Sequence, residues 1–102
     1  MPMNNGTPID IEQFAKDDKD VPPGGKYIIR IDKEKFTVDV DHMTGKQILG
    51  LVKKDPKDWK LFEHVKGQQP HEIQPDEIVQ FTKHGIERFS TFAKDTTEGG
   101  RG

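Results

Sequence analysis

Residues 27–40, Tyr27-Ile28-Ile29-Arg30-Ile31-Asp32-Lys33-Glu34-Lys35-Phe36-Thr37-Val38-Asp39-Val40, decide how the rest of the chain is read. Tyr27 to Ile31 is a β-branched and aromatic run, the composition that fits a pleated, half-buried surface. In the second run Phe36, Val38 and Val40 alternate with Lys35, Thr37 and Asp39, a period of two that puts one face on a core and one in water. The polar Asp32-Lys33-Glu34 between them is turn chemistry, so the stretch predicts a β-hairpin.

Downstream, the period changes. Thr44 is an N-cap type of residue, Ile48 and Val52 stand four apart with Leu49 beside them, and Lys53 and Lys54 suit the negative end of a helix dipole. A helix over about Gly45–Lys54 is predicted, stopped before Pro56. Gly50 costs it about 1 kcal/mol against alanine, so packing must hold it. Trp59–Val65 reads as a third strand closed by Gly67, and Pro70 and Pro75 bracket a short strand or turn around Ile73. Glu77–Thr82 reads as the last strand, with Val79 and Phe81 inward and Gln80 and Thr82 outward. The expected fold is α+β, one helix packed on a mixed four- to five-stranded sheet, the long connection being a right-handed crossover to a strand parallel to an earlier one. Its expected core is Ile29, Ile31, Phe36, Val38, Ile48, Leu49, Val52, Leu61, Val79 and Phe81.

Upstream, residues 1–25 contain Asp10, Glu12, Asp17, Asp18 and Asp20 against Lys16 and Lys19, a net charge of −3, and end in Pro22-Pro23-Gly24-Gly25. Ile9, Ile11 and Phe14 are the only cluster there able to pack. The stretch reads as a flexible leader, with a short docking segment as the other reading. The whole chain has 102 residues, 30% hydrophobic and 33% charged, which allows one small domain and no large core. With a total charge of −2, residues 26–102 carry +1, so the clustered basic face of a nucleic-acid binder is lacking. The chain contains no cysteine, which excludes disulfides, thiolate metal sites and cysteine nucleophiles. No apolar run reaches membrane-spanning length and no signal-peptide pattern opens the chain, so the cytoplasm is the expected location.

The order strand, strand, helix, strand, short element, strand, with a diglycine beyond it, resembles the β-grasp fold of ubiquitin-like proteins. The stretches TGKQILGLV, WKLFEHVKG and EIVQFTKHGIERF are similar to bacterial ubiquitin-like domains of the multiubiquitin type, which are encoded beside activating and conjugating enzymes and a JAMM-type zinc peptidase. The resemblance divides the chain into a leader at 1–25, a β-grasp domain at 26–92 and a flexible tail at 93–102.

It also implies a role for the terminal Thr97-Glu98-Gly99-Gly100-Arg101-Gly102. In such modifiers the carboxylate of the last glycine attacks ATP to give an acyl-adenylate, and the acyl group then passes to a thiol and on to an amine. Gly99 and Gly100 would thread a narrow enzyme channel, where glycine permits close backbone approach. While Arg101 and Gly102 remain, Gly100 has no free carboxylate, so the resemblance implies a precursor cut between Gly100 and Arg101. The chain is then cargo and not an enzyme, binds no cofactor itself, and depends on ATP used by the activating enzyme. Its implied partners are the activating enzyme, the conjugating enzyme, the peptidase and target proteins, without nucleic acid or membrane, and it is expected to be a monomer when free. A part in antiphage defence is a further implication.

Two departures from ubiquitin stand out. Phe81 and Gly99 are 18 positions apart, and the stretch between them holds Ile86, Phe89 and Phe92. Phe89 either packs back on the sheet edge or joins Arg88 and Phe92 as a contact for the activating enzyme. The outward Gln80 and Thr82 predict a polar recognition face. Two alternatives stay open: a sulfur carrier ending in a thiocarboxylate, and a non-covalent β-grasp adaptor. His42, His64, His71 and His84 match no local metal-ligand spacing, so no metal is expected.

Overall fold

The hairpin at 27–38 forms as its pattern requires, and it organises everything else. The structure is a computed structural model and describes residues 7–94. In chain order its elements are β1 (Ile9–Asp10), α1 (Ile11–Lys16), β2 (Tyr27–Ile31), β3 (Glu34–Val38), β4 (His42–Thr44), α2 (Gly45–Leu51), β5 (Trp59–Val65), β6 (His71–Ile73), β7 (Ile78–Gln80) and β8 (Ile86–Ala93). In β2, Tyr27, Ile29 and Ile31 are wholly buried while Ile28 and Arg30 are half-exposed, which is the period-two signature of a sheet with one dry face. β3 pairs antiparallel along the full length of β2.

The main sheet runs β3-β2-β8-β5-β6, with β2 and β8 parallel and the other neighbouring pairs in that run antiparallel. β5 therefore points the same way as β3, with β2 and β8 between them. α2 supplies Ile48 and Leu49 to the core formed with Tyr27, Ile29, Leu61, Val79, Phe81 and Phe89. A separate two-stranded ribbon, β4 with β7, carries Val79 inward. Of the expected core, Phe36 and Val52 are only partly buried; Ile11, Tyr27, Ile86 and Phe89 are the fully buried large members the pattern did not mark.

α2 is capped as its sequence announces. Thr44 Oγ1 accepts from the Gln47 amide at 3.2 Å, and the Gln47 side chain accepts from the Thr44 amide at 2.8 Å. It ends at Leu51 rather than Lys54, because the Lys54 amide folds back to the Leu49 carbonyl at 3.0 Å through a left-handed Lys53 (φ 59°).

Three expectations are corrected. The last strand is β8, not 77–82. Ile86 and Phe89 are three apart, which breaks period two and reads as irregular chain. The register against β5 explains this: Val65 faces Ile86 and His64 faces Arg88, so Glu87 is an extra residue, a β-bulge that restores both Ile86 and Phe89 to the dry face. Second, the main sheet has six strands with β1, and there are two helices rather than one among the described residues.

Third, the leader reading fails for residues 9–21. β1 pairs parallel with β2 (Ile9 with Tyr27, Asp10 with Ile28), and Ile11, Ala15 and Val21 are buried. Asp10 caps α1 by accepting from the amides of Glu12 and Gln13 at 3.1 and 3.4 Å. Such a short helix is not stable alone. It persists because Ile11 and Ala15, four apart, share one face that docks against β2 and β8.

Candidate functional site

The site is built on β5 and β8, which pair over seven residues from Trp59–Ala93 to Val65–Ile86. Side chains alternate across them. Leu61, Glu63, Val65, Phe89 and Thr91 point into the domain and are buried. Lys60, Phe62 and His64 of β5, with Arg88, Ser90 and Phe92 of β8, form the outer face.

On that face Phe62 and Phe92 meet edge to face, 5.5 Å between centroids at 81°, a favoured aromatic geometry. Phe92 is nonetheless 56% exposed, and leaving so much aromatic surface in water costs free energy that a partner would recover. Lys60 stands directly across from Phe92 and His64 across from Arg88. His64 Nε2 lies 2.6 Å from Ser90 Oγ. Burial, then the nearby Arg88 charge, hold the His64 imidazole below its ordinary pKa, which favours its neutral form. The face therefore joins an aromatic pair to the cations Lys60 and Arg88.

This corrects the expected polar face. Gln80 and Thr82 belong to the β7 region and not to the main sheet. Of the expected contacts Arg88, Phe89 and Phe92, the structure brings Arg88 and Phe92 onto one exposed surface and puts Phe89 on the opposite side, wholly buried against Phe81 at 6.3 Å between centroids. Phe89 is a core residue and touches no partner from that position. Phe62 is the member that sequence reasoning missed; its place in the alternation of Trp59–Val65 was the available signal.

The lower end of β8 is held by a polar cluster. The Asp32 carboxylate accepts from the Thr91 amide at 2.9 Å and from Thr91 Oγ1 at 2.6 Å. Lys54 Nζ donates to Thr91 Oγ1 at 2.7 Å, lies 3.4 Å from Asp32, and sits 4.0 Å over the Trp59 ring centroid. The next strand residue is the exposed Phe92, and the Lys94 amide then donates to the Asp58 carbonyl at 2.8 Å. The point where the chain leaves the sheet is thus set by groups from separate segments.

Burial alone would raise the Asp32 carboxyl, but the two Thr91 hydrogen bonds and the Lys54 charge outweigh it and the pKa is lowered. A carboxylate lowered on folding stabilises the folded state above its unfolded pKa, and that stabilisation is lost as pH falls through the lowered value. Asp32→Asn should therefore melt below wild type at neutral pH, and the gap should close below about pH 4. Calorimetric melting curves against pH check this; a gap independent of pH would assign the loss to geometry rather than charge.

Gly99, Gly100 and Arg101 lie outside the described residues. Each histidine has its own partner rather than a shared centre: His42 with Asp41, His64 with Ser90, His71 with Glu77, and His84 with Asp18 and Asp20. Among the described residues, no helix is long and apolar enough to cross a membrane.

The strand order β3-β2-β8-β5-β6, wrapped on one face by α2, is that of the ubiquitin-like β-grasp class. A family model described as Multiubiquitin matches residues 27–94, most of the chain. The protein belongs to the multiubiquitin family. No curated protein and no solved structure matches it. The family match begins at the first residue of β2, so the docked segment 9–21 lies outside it.

Proposed function

We propose that the chain is a ubiquitin-like modifier precursor, cut after Gly100, adenylated on the freed carboxylate and joined through it to target amines. The observation that carries this reading is the end of β8. Gly99 follows Ala93 by six positions (99 − 93), where an assumed last strand at Phe81 left 18 (99 − 81). A strand-to-diglycine spacer this short matches the ubiquitin pattern, so the strongest departure from that pattern is gone. The firm anchoring of the strand end by Asp32, Thr91 and Lys54 supports the same reading, since an enzyme that reads a short spacer needs a defined starting point.

In this scheme the chain supplies no catalytic group; activating and conjugating enzymes and a JAMM-type peptidase act on it, and ATP is consumed by the activating enzyme. The contact for those enzymes is Phe62 with Phe92, flanked by Arg88 and Lys60. Lys54 is engaged with Thr91 and Asp32, so it is a poor acceptor for chain formation. The exposed Lys46, Lys53, Lys57, Lys60 and Lys66 remain available. Cytoplasmic location and a place in a bacterial defence pathway accompany the proposal.

The test is ATP–pyrophosphate exchange with the cognate activating enzyme. The chain ending at Gly100 should support exchange, and the full-length chain should not. Arg101 would have to take a bulky charge into a passage fitted to glycine and lose its hydration there. Equal activity of both forms would remove the precursor reading. Phe92→Asp should raise the KM for the trimmed chain while lowering its melting temperature only slightly, since Phe92 is already mostly exposed. A non-covalent adaptor, the second reading, is favoured by the same exposed aromatic pair, and inactivity of both forms would make it the better account.

A further inference from the structure

β2 has two edges, and β3 takes one of them completely. The other is shared. β8 pairs with it at Ile31 alone, and β1 pairs with it at Tyr27 and Ile28. β8 thus leaves the first half of that edge to β1, and residues 9–21 lie along it. Three sets of contacts hold them. The Ile9 amide donates to the Lys26 carbonyl at 2.8 Å, and Ile11, Ala15 and Val21 are buried. The cations facing the segment from β2 and β3 are Arg30, 2.8 Å from Glu12, and Lys35, 2.9 Å from Asp10. At the far end His84, between β7 and β8, places Nε2 2.8 Å from Asp18 and Nδ1 2.8 Å from Asp20.

That last arrangement requires charge. An imidazole can donate from both nitrogens only when protonated, and both of its neighbours here are carboxylates. No other segment of the fold supplies His84 with a partner among the described residues: Lys66, after β5, acts on Asp18, and the adjacent Lys83 is drawn to the buried Glu63 at 3.3 Å.

We propose that residues 9–21 are a releasable strap over the free half of the β2 edge, closed while protonated His84 is clasped between Asp18 and Asp20, and loosened as pH rises. The clasp joins residues 64 and 66 positions apart, so losing it frees one end of a segment whose other end is tied by a two-residue strand. Release exposes the Lys26 carbonyl and the backbone of Ile28, an unpaired strand edge of the kind that accepts another strand. The hydrogen bonds from Asp18 and then Asp20 raise the imidazole's affinity for its proton. A group raised on docking favours the docked state below its free pKa, and that contribution is lost as pH climbs through the docked one. Asp18, lowered chiefly by the same His84 hydrogen bond, sets the acid limit in the opposite sense. The three groups are exposed, so the clasp tunes the strap rather than holding it alone. The strap would operate whether or not the chain is a modifier.

The test is amide hydrogen exchange on the full-length, isotope-labelled chain between about pH 5.5 and 8.5, a range that spans imidazole titration. After correction for intrinsic exchange, the opening constant at Ile9 should rise with pH. Its total rise should be about tenfold for each unit separating the docked and free imidazole pKa. The amide of Leu61, in the middle of β5, should keep a constant value. His84→Gln should abolish the rise at Ile9, and Asp18→Asn with Asp20→Asn should bring the His84 titration midpoint down. The proposal is overturned if Ile9 opens equally across the range, if His84→Gln keeps the wild-type dependence, or if Leu61 opens in parallel with Ile9.

Discussion

Phe89→Ala should cost about 3–5 kcal/mol, the usual penalty for emptying a fully buried aromatic position. Phe89 has no exposed surface, stacks edge to face on Phe81, pairs across from Glu63 on β5, and marks the one register point between β8 and β2. Its loss therefore opens a cavity where the two halves of the sheet join. A domain of this size is stable by about 5–15 kcal/mol, so much of that margin would go. Phe92→Ala, further along the same strand on the wet face, should cost far less, because Phe92 is already 56% exposed. Urea denaturation of both variants separates them. Equal midpoints would mean that β8 does not lie in the register described.

Gly45→Ala should destabilise the protein by at least about 3 kcal/mol, the upper range for forcing extra atoms into a packed site. Intrinsic propensity argues the other way, since alanine is favoured over glycine in a helix by about 1 kcal/mol. Sterics win here. A Cβ on Gly45 would lie inside contact with the Gln74 carbonyl oxygen and 3.0 Å from Ile73 Cγ2. The first of these is backbone, and it cannot retreat without straining the hydrogen bonds that the Gly45 N–H donates to the Glu77 carbonyl at 3.0 Å and the Lys46 N–H donates to the Pro75 carbonyl at 2.9 Å. Gly50, in the same helix, has nothing within 4 Å of the place an added Cβ would take. There propensity should decide, and Gly50→Ala should stabilise by about 0.5–1 kcal/mol. Opposite signs for two glycine-to-alanine changes in one helix, read from thermal melts, are the expected result. A stabilised Gly45→Ala would show that α2 does not abut the Gln74 backbone.

The hairpin, the Thr44 cap, the β5 strand and the inward Val79 and Phe81 are all legible in the order of residues, because each depends on neighbours two to four positions away. Local rules of alternation and capping are sufficient for such elements. The position of Phe62 is equally available from the alternation in 59–65, yet its meaning is not: it becomes half of an exposed aromatic pair only when β8 is laid beside it.

What residue order alone determined is the β-grasp class, with its helix packed beneath the sheet, and the position of the diglycine after the last strand in sequence. Tertiary structure decided the rest, and in each instance through contacts between distant segments. The Glu87 bulge makes Ile86 and Phe89 inward together, and a bulge exists only relative to the partner strand β5. Segment 9–21 has too little apolar surface to order by itself. It folds because β2 offers half an edge, because β8 offers a face for Ile11 and Ala15, and because Arg30, Lys35 and His84 wait for its acids. No local pattern encodes that match, since the free energy that orders the strap comes from surface that the remainder of the chain creates only by folding.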